Sequence, residues 1–323
     1  MATTDLHVDS RLAPGERIRL RERHAGASPA AAGRAVLFVH GATYPGAMFD
    51  VPGTSWLAHA VADGYAAYAL DVRGYGGSTR PAAMDGPPER AAPFARADAA
   101  IADIADCIAT IRERADVDTV DVVGWSWGTM TCGGYAATRP DTIGRLVLFA
   151  PVFRHRDPSR LQALVGRRGA GDPEALGAYR TVTMAQAAAR WDADFDGDDP
   201  ARWRAPGVLE RWFDLMCADE PAEAVRAPNG VLLDLAEALD GRALYDAGAI
   251  DRPTLVVRGS ADATAVRADA LGLYDALGSA HRQYAEIADG GHFLLLERRA
   301  PALFETVSRF LRGPLDDSDA GRL

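Results

Sequence analysis

The pentapeptide Gly124-Trp125-Ser126-Trp127-Gly128 holds a serine in a setting that suits a nucleophile. It follows the apolar run Val120 to Val123 and precedes an Ala-rich segment of helical character, so a tight strand-to-helix turn is expected. Glycines two residues before and two after leave room for the backbone to double back and to hold Ser126 strained, its hydroxyl projecting into a cleft. A serine hydroxyl is a poor nucleophile at neutral pH and needs a base to take its proton and an acid to orient that base. The chain offers both. Asp262 follows the apolar strand Thr254 to Val257 in Arg258-Gly259-Ser260-Ala261-Asp262, at the carboxyl edge where parallel sheets build their sites. His292 stands in Asp289-Gly290-Gly291-His292-Phe293, a loop whose glycines let it turn an imidazole inward.

Singly, an Asp after a strand is more often a turn former, and a His in a glycine loop more often a surface residue. Three such residues in register with one chemistry outweigh those readings. Asp251, Glu286 and Asp289 compete for the orienting role, but the first precedes its strand, the second lies within one and the third is too close to His292. Ala150-Pro151-Val152, at the end of the next strand, carries no carboxylate. Acyl transfer also needs donors for a developing oxyanion. The backbone N–H of Trp127, opening the helix, and that of Ala42 in Val39-His40-Gly41-Ala42-Thr43-Tyr44-Pro45-Gly46 are the candidates, with Thr43 as the alternative to Ala42. His40, at a strand end, is expected to make structural hydrogen bonds.

These residues need a scaffold. Ala35 to Val39, Ala66 to Leu70, Val120 to Val123, Leu146 to Ala150 and Thr254 to Val257 read as buried strands of a parallel sheet. Ile101, Ile104, Ile108 and Ile111 place one apolar stripe on a covering helix, and Arg17 to Arg21 alternates like a half-exposed antiparallel edge strand. A helix over Val266 to Leu277, a strand over Arg282 to Ile287 and a helix over Pro301 to Leu311 complete an α/β domain.

Between Phe153 and Gly248 the strand signal disappears, and helical segments alternate with Gly, Pro and acidic loops such as Asp192 to Pro200. This predicts a helical cap at 153–248 inserted between core segments 1–152 and 249–313, with a flexible tail at 314–323. Trp191, Trp203 and Trp212 of the cap, with Tyr44 and Trp125, are candidates for the substrate pocket; packing of the cap helices on one another accounts for each of the three cap tryptophans at least as well.

Composition narrows the partners. The 323 residues carry a formal charge of −10 with bases and acids interspersed, so no basic stripe points to nucleic acid or an anionic membrane. No segment has the length and apolarity of a membrane span, and Met1 to Glu22 lacks a signal-peptide core, so a cytoplasmic location is expected. Cys107, Cys132 and Cys217 have no metal or disulfide spacing and are expected to be buried thiols. His7, His24, His59, His155 and His281 are scattered, and no dinucleotide or phosphate-binding glycine loop occurs, so neither metal nor cofactor is expected. A homo-oligomer is compatible with the sequence and not specified by it.

Together with Asp71-Val72-Arg73-Gly74-Tyr75-Gly76-Gly77-Ser78, the motifs at Ser126, Asp262, His292 and His40-Gly41 make the chain resemble the α/β-hydrolase fold superfamily from about Arg17 to Leu311. The resemblance implies a mostly parallel eight-stranded sheet, a cap over the site and a triad of Ser126, Asp262 and His292. The order Ser, Asp, His is that of this fold and not of trypsin-like or subtilisin-like enzymes. Serine at position 126 separates the chain from branches that use an aspartate nucleophile, and the Gly41 loop has neither the H-G-G-G nor the H-G-G-P-G pattern. A serine hydrolase of a small, largely apolar carboxylic ester or lactone is the expected activity, with a thioesterase, amidase or carbon-carbon hydrolase as alternatives. A ligand-binding receptor on the same fold is the alternative of another class.

Overall fold

The computed structural model describes residues 3–166, 176–195 and 197–313. Five short, mostly apolar runs, buried at nearly every position, form the strands β3 (Ala35–Val39), β4 (Ala66–Leu70), β5 (Val120–Trp125), β6 (Ile143–Phe149) and β9 (Thr254–Gly259). They read as continuous apolar runs because helices cover both faces of the sheet. With β1 (Thr4–Asp9), β2 (Arg17–Arg23) and β10 (Arg282–Ile287) they make an eight-stranded sheet in the order β1-β2-β4-β3-β5-β6-β9-β10. Only β2 runs antiparallel to its neighbours, and the remaining pairs are parallel.

Alternate side chains of each strand enter two separate cores. Leu37 and Val39 point to the face covered by α2 (Ala97–Ala115), α3 (Trp127–Thr138) and α8 (Arg267–Ala276). Val36 and Phe38 point to the face covered by α1 (Trp56–Ala62) and α9 (Ala300–Arg312). The stripe expected on α2 is there: Ile104, Ile108 and Ile111 are buried, while Ile101, half-buried, lies against Gly134 of α3. In α9, Leu303, Phe304, Val307, Phe310 and Leu311 supply the matching stripe.

The segment between β6 and β9 is mostly helical, as expected, but it also holds strands that its sequence did not announce. It contains α4 (Pro158–Gly166), α5 (Met184–Asp192), α6 (Val208–Met216) and α7 (Gly230–Leu239). It also contains a two-stranded antiparallel sheet of β7 (Tyr179–Val182) and β8 (Val225–Pro228). Each strand has four residues, and Arg180, Thr181 and Arg226 remain partly exposed, so neither makes the apolar run by which the core strands are recognised. The edge strand β1 was missed for the same reason, since Val8 is its one buried residue. Asp196 of the acidic loop and the tail at 314–323 lie outside the described residues. Cys107 and Cys132 are buried as expected, whereas Cys217 is partly exposed. Among the described residues, no helix is long and apolar enough to cross a membrane.

Candidate active site

Strand β5 ends at Trp125 and α3 begins at Trp127, so Ser126 is the whole of the turn. Its backbone lies at φ 56°, ψ −122°, a region where a non-glycine residue stores about 1–3 kcal/mol of strain. The hydrogen bond from Ser126 N–H to the Phe149 carbonyl at 3.0 Å fastens this conformation to β6. The flanking glycines act through space and not through positive φ. A Cβ on Gly124 would stand 2.5 Å from the Gly128 carbonyl oxygen, and one on Gly128 would stand 2.4 Å from the Val39 oxygen. Gly128→Ala is therefore expected to destabilise the fold by about 1–3 kcal/mol, although Ala ordinarily favours a helix over Gly. Chemical denaturation would show this as a lowered midpoint; an unchanged or raised midpoint would refute the close-approach argument.

Asp262 and His292 arrive on the loops after β9 and β10, at the same carboxyl edge of the sheet. His292 Nε2 lies 3.0 Å from Ser126 Oγ, and Nδ1 lies 2.9 Å from Asp262 Oδ2. The other oxygen of Asp262 accepts the N–H groups of Thr264 and Ala265, both at 2.8 Å. Burial alone would raise the Asp262 carboxyl, but His292 and the N–H groups of Ala265 and Thr264 outweigh it and hold the carboxyl below the usual carboxylate range. The competing acids are engaged elsewhere: Glu286 pairs with Arg258, and Asp251 with Arg252. Asp289 takes a positive φ of 58°, with its N–H bonded to Ser260 Oγ.

The loop after β3 closes the other side of Ser126. Gly41 touches it so closely that a Cβ there would lie 2.9 Å from the Trp125 ring and 3.0 Å from Ser126 Cβ. Ala42 follows, and its carbonyl is fixed by Tyr75 Oη at 2.8 Å and by Arg180 Nη2 of β7 at 2.6 Å. Neither the N–H of Ala42 nor that of Trp127 meets a protein acceptor among the described residues, and the same holds for Thr43. His40 uses both ring nitrogens in structure: Nδ1–H donates to the Gly41 carbonyl and Nε2 accepts the Val72 N–H. Complete burial lowers its pKa, which keeps it neutral in this tautomer.

The aromatic candidates separate. Tyr44, Trp191 and Trp212 come together around Phe293, with Tyr44 and Trp212 edge-on at 4.5 Å and Trp191 and Trp212 edge-on at 5.6 Å. Phe293 is within 6.0 Å of each of the three and follows His292 directly. Trp125 lies under the same loop, its indole N–H donating to the His292 carbonyl at 3.0 Å. Trp203 stands apart from this group, stacked on Phe195 at 4.1 Å. A cavity of about 340 Å³ lined by Met184, Phe213, Asp214, Cys217 and Glu223 shares no residue with the predicted site.

Sequence reasoning passed over Phe293, Arg180, Asp194 and Glu297. Glu297 accepts the Gly291 N–H at 2.9 Å and the Trp191 indole N–H at 3.0 Å, and so fastens the histidine loop. Burial pushes its carboxyl up to about 8, aided by the negative charges of Asp194 and Asp262 and opposed by those two N–H donors. Because the folded pKa exceeds the unfolded one, the native state holds the proton more tightly. Its stabilising contribution is complete below the unfolded value and is lost as pH rises through about 8. Denaturation midpoints of wild type are expected to fall between pH 6 and 9, and Glu297→Gln should flatten that fall. Identical slopes for the two proteins would refute the assignment.

Residues 34–299 match the sequence model of the alpha/beta hydrolase fold family. The chain belongs to that family. No curated protein sequence matches this α/β-hydrolase. Solved structures do resemble it. An esterase from Exiguobacterium antarcticum is 18% identical, with a TM-score of 0.67 over 96% of this chain and 100% of its own. An enol-lactonase from Burkholderia xenovorans is 21% identical, with a TM-score of 0.66 over 95% of this chain and 100% of its own. A thioesterase domain from the curacin biosynthetic pathway is 18% identical, with a TM-score of 0.63 over 95% of this α/β-hydrolase and 99% of the domain. At such identities the likeness is one of fold.

Proposed function

We propose that this α/β-hydrolase is a serine hydrolase that cleaves a small, largely apolar carboxylic ester or lactone through an acyl-enzyme on Ser126. The relay from Ser126 Oγ to His292 Nε2 at 3.0 Å and from His292 Nδ1 to Asp262 Oδ2 at 2.9 Å carries this reading. His292 takes the proton from Ser126 as Oγ attacks the carbonyl carbon. The oxygen that becomes negative is met by the N–H groups of Ala42 and Trp127, donors of a kind worth about 10²–10³ in rate each. His292 then passes its proton to the departing alcohol oxygen, which for a lactone stays tethered to the acyl group. Water attacks the acyl-enzyme, His292 accepts its proton, and the acid leaves as Ser126 regains its hydrogen. Asp262 keeps the Nδ1 tautomer throughout and stabilises the imidazolium.

Preference for an apolar substrate is inferred from Phe293, which follows His292 and packs with Tyr44 of the core and with Trp191 and Trp212 of the inserted segment, read as a cap. Esters, lactones and thioesters incubated with the protein should yield many equivalents of acid per chain for at least one apolar ester or lactone. Saturable binding without product would support the receptor reading. Turnover confined to thioesters would replace the proposed substrate class.

A further inference from the structure

The cap carries one carboxylate into the heart of the histidine loop. Asp194, just after α5, has a side chain with no solvent exposure, although Ala193 beside it is exposed. Its Oδ2 accepts the His292 backbone N–H at 2.6 Å. Its Oδ1 faces the Ala263 N–H at 3.4 Å and the Arg190 guanidinium at 3.3 Å. Arg190 in turn bonds Thr264 Oγ1, and the Thr264 N–H holds Asp262. One cap residue therefore touches both the loop that bears the acid and the loop that bears the base. Gly291 permits this approach, since a Cβ there would lie 3.0 Å from Asp194 Oδ2 and 2.9 Å from the Phe195 ring.

Resting on the serine-hydrolase reading above, we propose that Asp194 is a positioning residue for His292. By holding the His292 N–H from the cap side, while Glu297 holds the Gly291 N–H from the core side, it keeps the imidazole between Asp262 and Ser126. The geometry makes the competence of the base depend on the seating of the cap. A hydrogen bond to a charged acceptor is stronger than one between neutral groups, so its loss is expected to free the loop.

The test uses a small alkyl fluorophosphonate, whose phosphorus Ser126 Oγ attacks with loss of fluoride, and compares wild type with Asp194→Ala and Asp194→Asn. The maximal labelling rate of Asp194→Ala should fall at least tenfold while half-saturation by the probe stays within threefold. Asp194→Asn, which still accepts the His292 N–H, should recover to within threefold of wild type. A maximal rate for Asp194→Ala within twofold of wild type would overturn the proposal, as would Asn labelling no faster than Ala. If Asp194→Ala does not fold, Asp194→Leu, which keeps the volume without the acceptor, is read by the same criteria. Failure of wild type itself to label at Ser126 would instead overturn the serine-hydrolase reading on which the proposal stands.

Discussion

Ser126→Ala is expected to lose the fluorophosphonate adduct completely and to lower ester hydrolysis by about 10⁴–10⁶-fold, the range seen when one member of a triad acting as a unit is removed. Intact mass separates the two proteins directly: wild type should gain one phosphonyl group, and the variant none. The physical reason lies in the turn. Ser126, at φ 56° and ψ −122°, stands alone between β5 and α3, with His292 Nε2 at 3.0 Å from its hydroxyl. Removing the oxygen leaves those backbone contacts in place, so the variant should remain folded, as circular dichroism and the thermal midpoint will show. An adduct on the variant, or undiminished hydrolysis by a clean preparation, would eliminate Ser126 as the nucleophile.

Asp262→Asn should lower the rate by about 10⁴-fold, the effect of presenting the base in the wrong tautomer. Asp262 Oδ2 accepts from His292 Nδ1, while Oδ1 is occupied by the N–H groups of Thr264 and Ala265. An asparagine there satisfies those N–H groups with its one oxygen and turns its amide N–H₂ toward Nδ1. The imidazole must then accept at Nδ1 and carry its proton on Nε2, where it cannot receive the serine hydrogen. The loss should appear in kcat with little change in KM, because Asp262 is fully buried on the side of His292 away from Ser126. Glu286→Gln, which removes a carboxylate paired with Arg258, should leave kcat within a few-fold of wild type. The reverse result, a large effect at Glu286 and a small one at Asp262, would reassign the acid.

Much of the scaffold could be read locally. The five buried strands and α2 were visible because a run of apolar residues, or an apolar residue every third and fourth position, reports on a face that must be covered. The short partly exposed strands β7 and β8 carry no such signature, because they are held by pairing with each other and by bonds to core loops, such as Tyr179 Oη to the Gly86 carbonyl and Arg180 to the Ala42 carbonyl. The aromatics illustrate the same limit. Nothing in spacing distinguishes Trp212, which meets Tyr44 and Phe293, from Trp203, which stacks on Phe195. Asp194 was visible only as one acid among several in a polar loop.

By itself the sequence determined the strand, turn and helix around Ser126, the placement of Asp262 and His292 after two later strands, and hence the sheet edge on which all three meet. Each of these depends on residue type over a few neighbouring positions, where glycine, alternation and apolar runs act directly on the backbone. Tertiary structure alone decided that Glu297 and Asp194 grip consecutive N–H groups of the histidine loop. It also decided which tryptophans gather around Phe293. Apart from the bond of Glu297 to Gly291 six positions away, those outcomes depend on hydrogen bonds and ring contacts between residues separated by tens to more than a hundred positions, and they exist only once the crossovers of the sheet have brought the loops together.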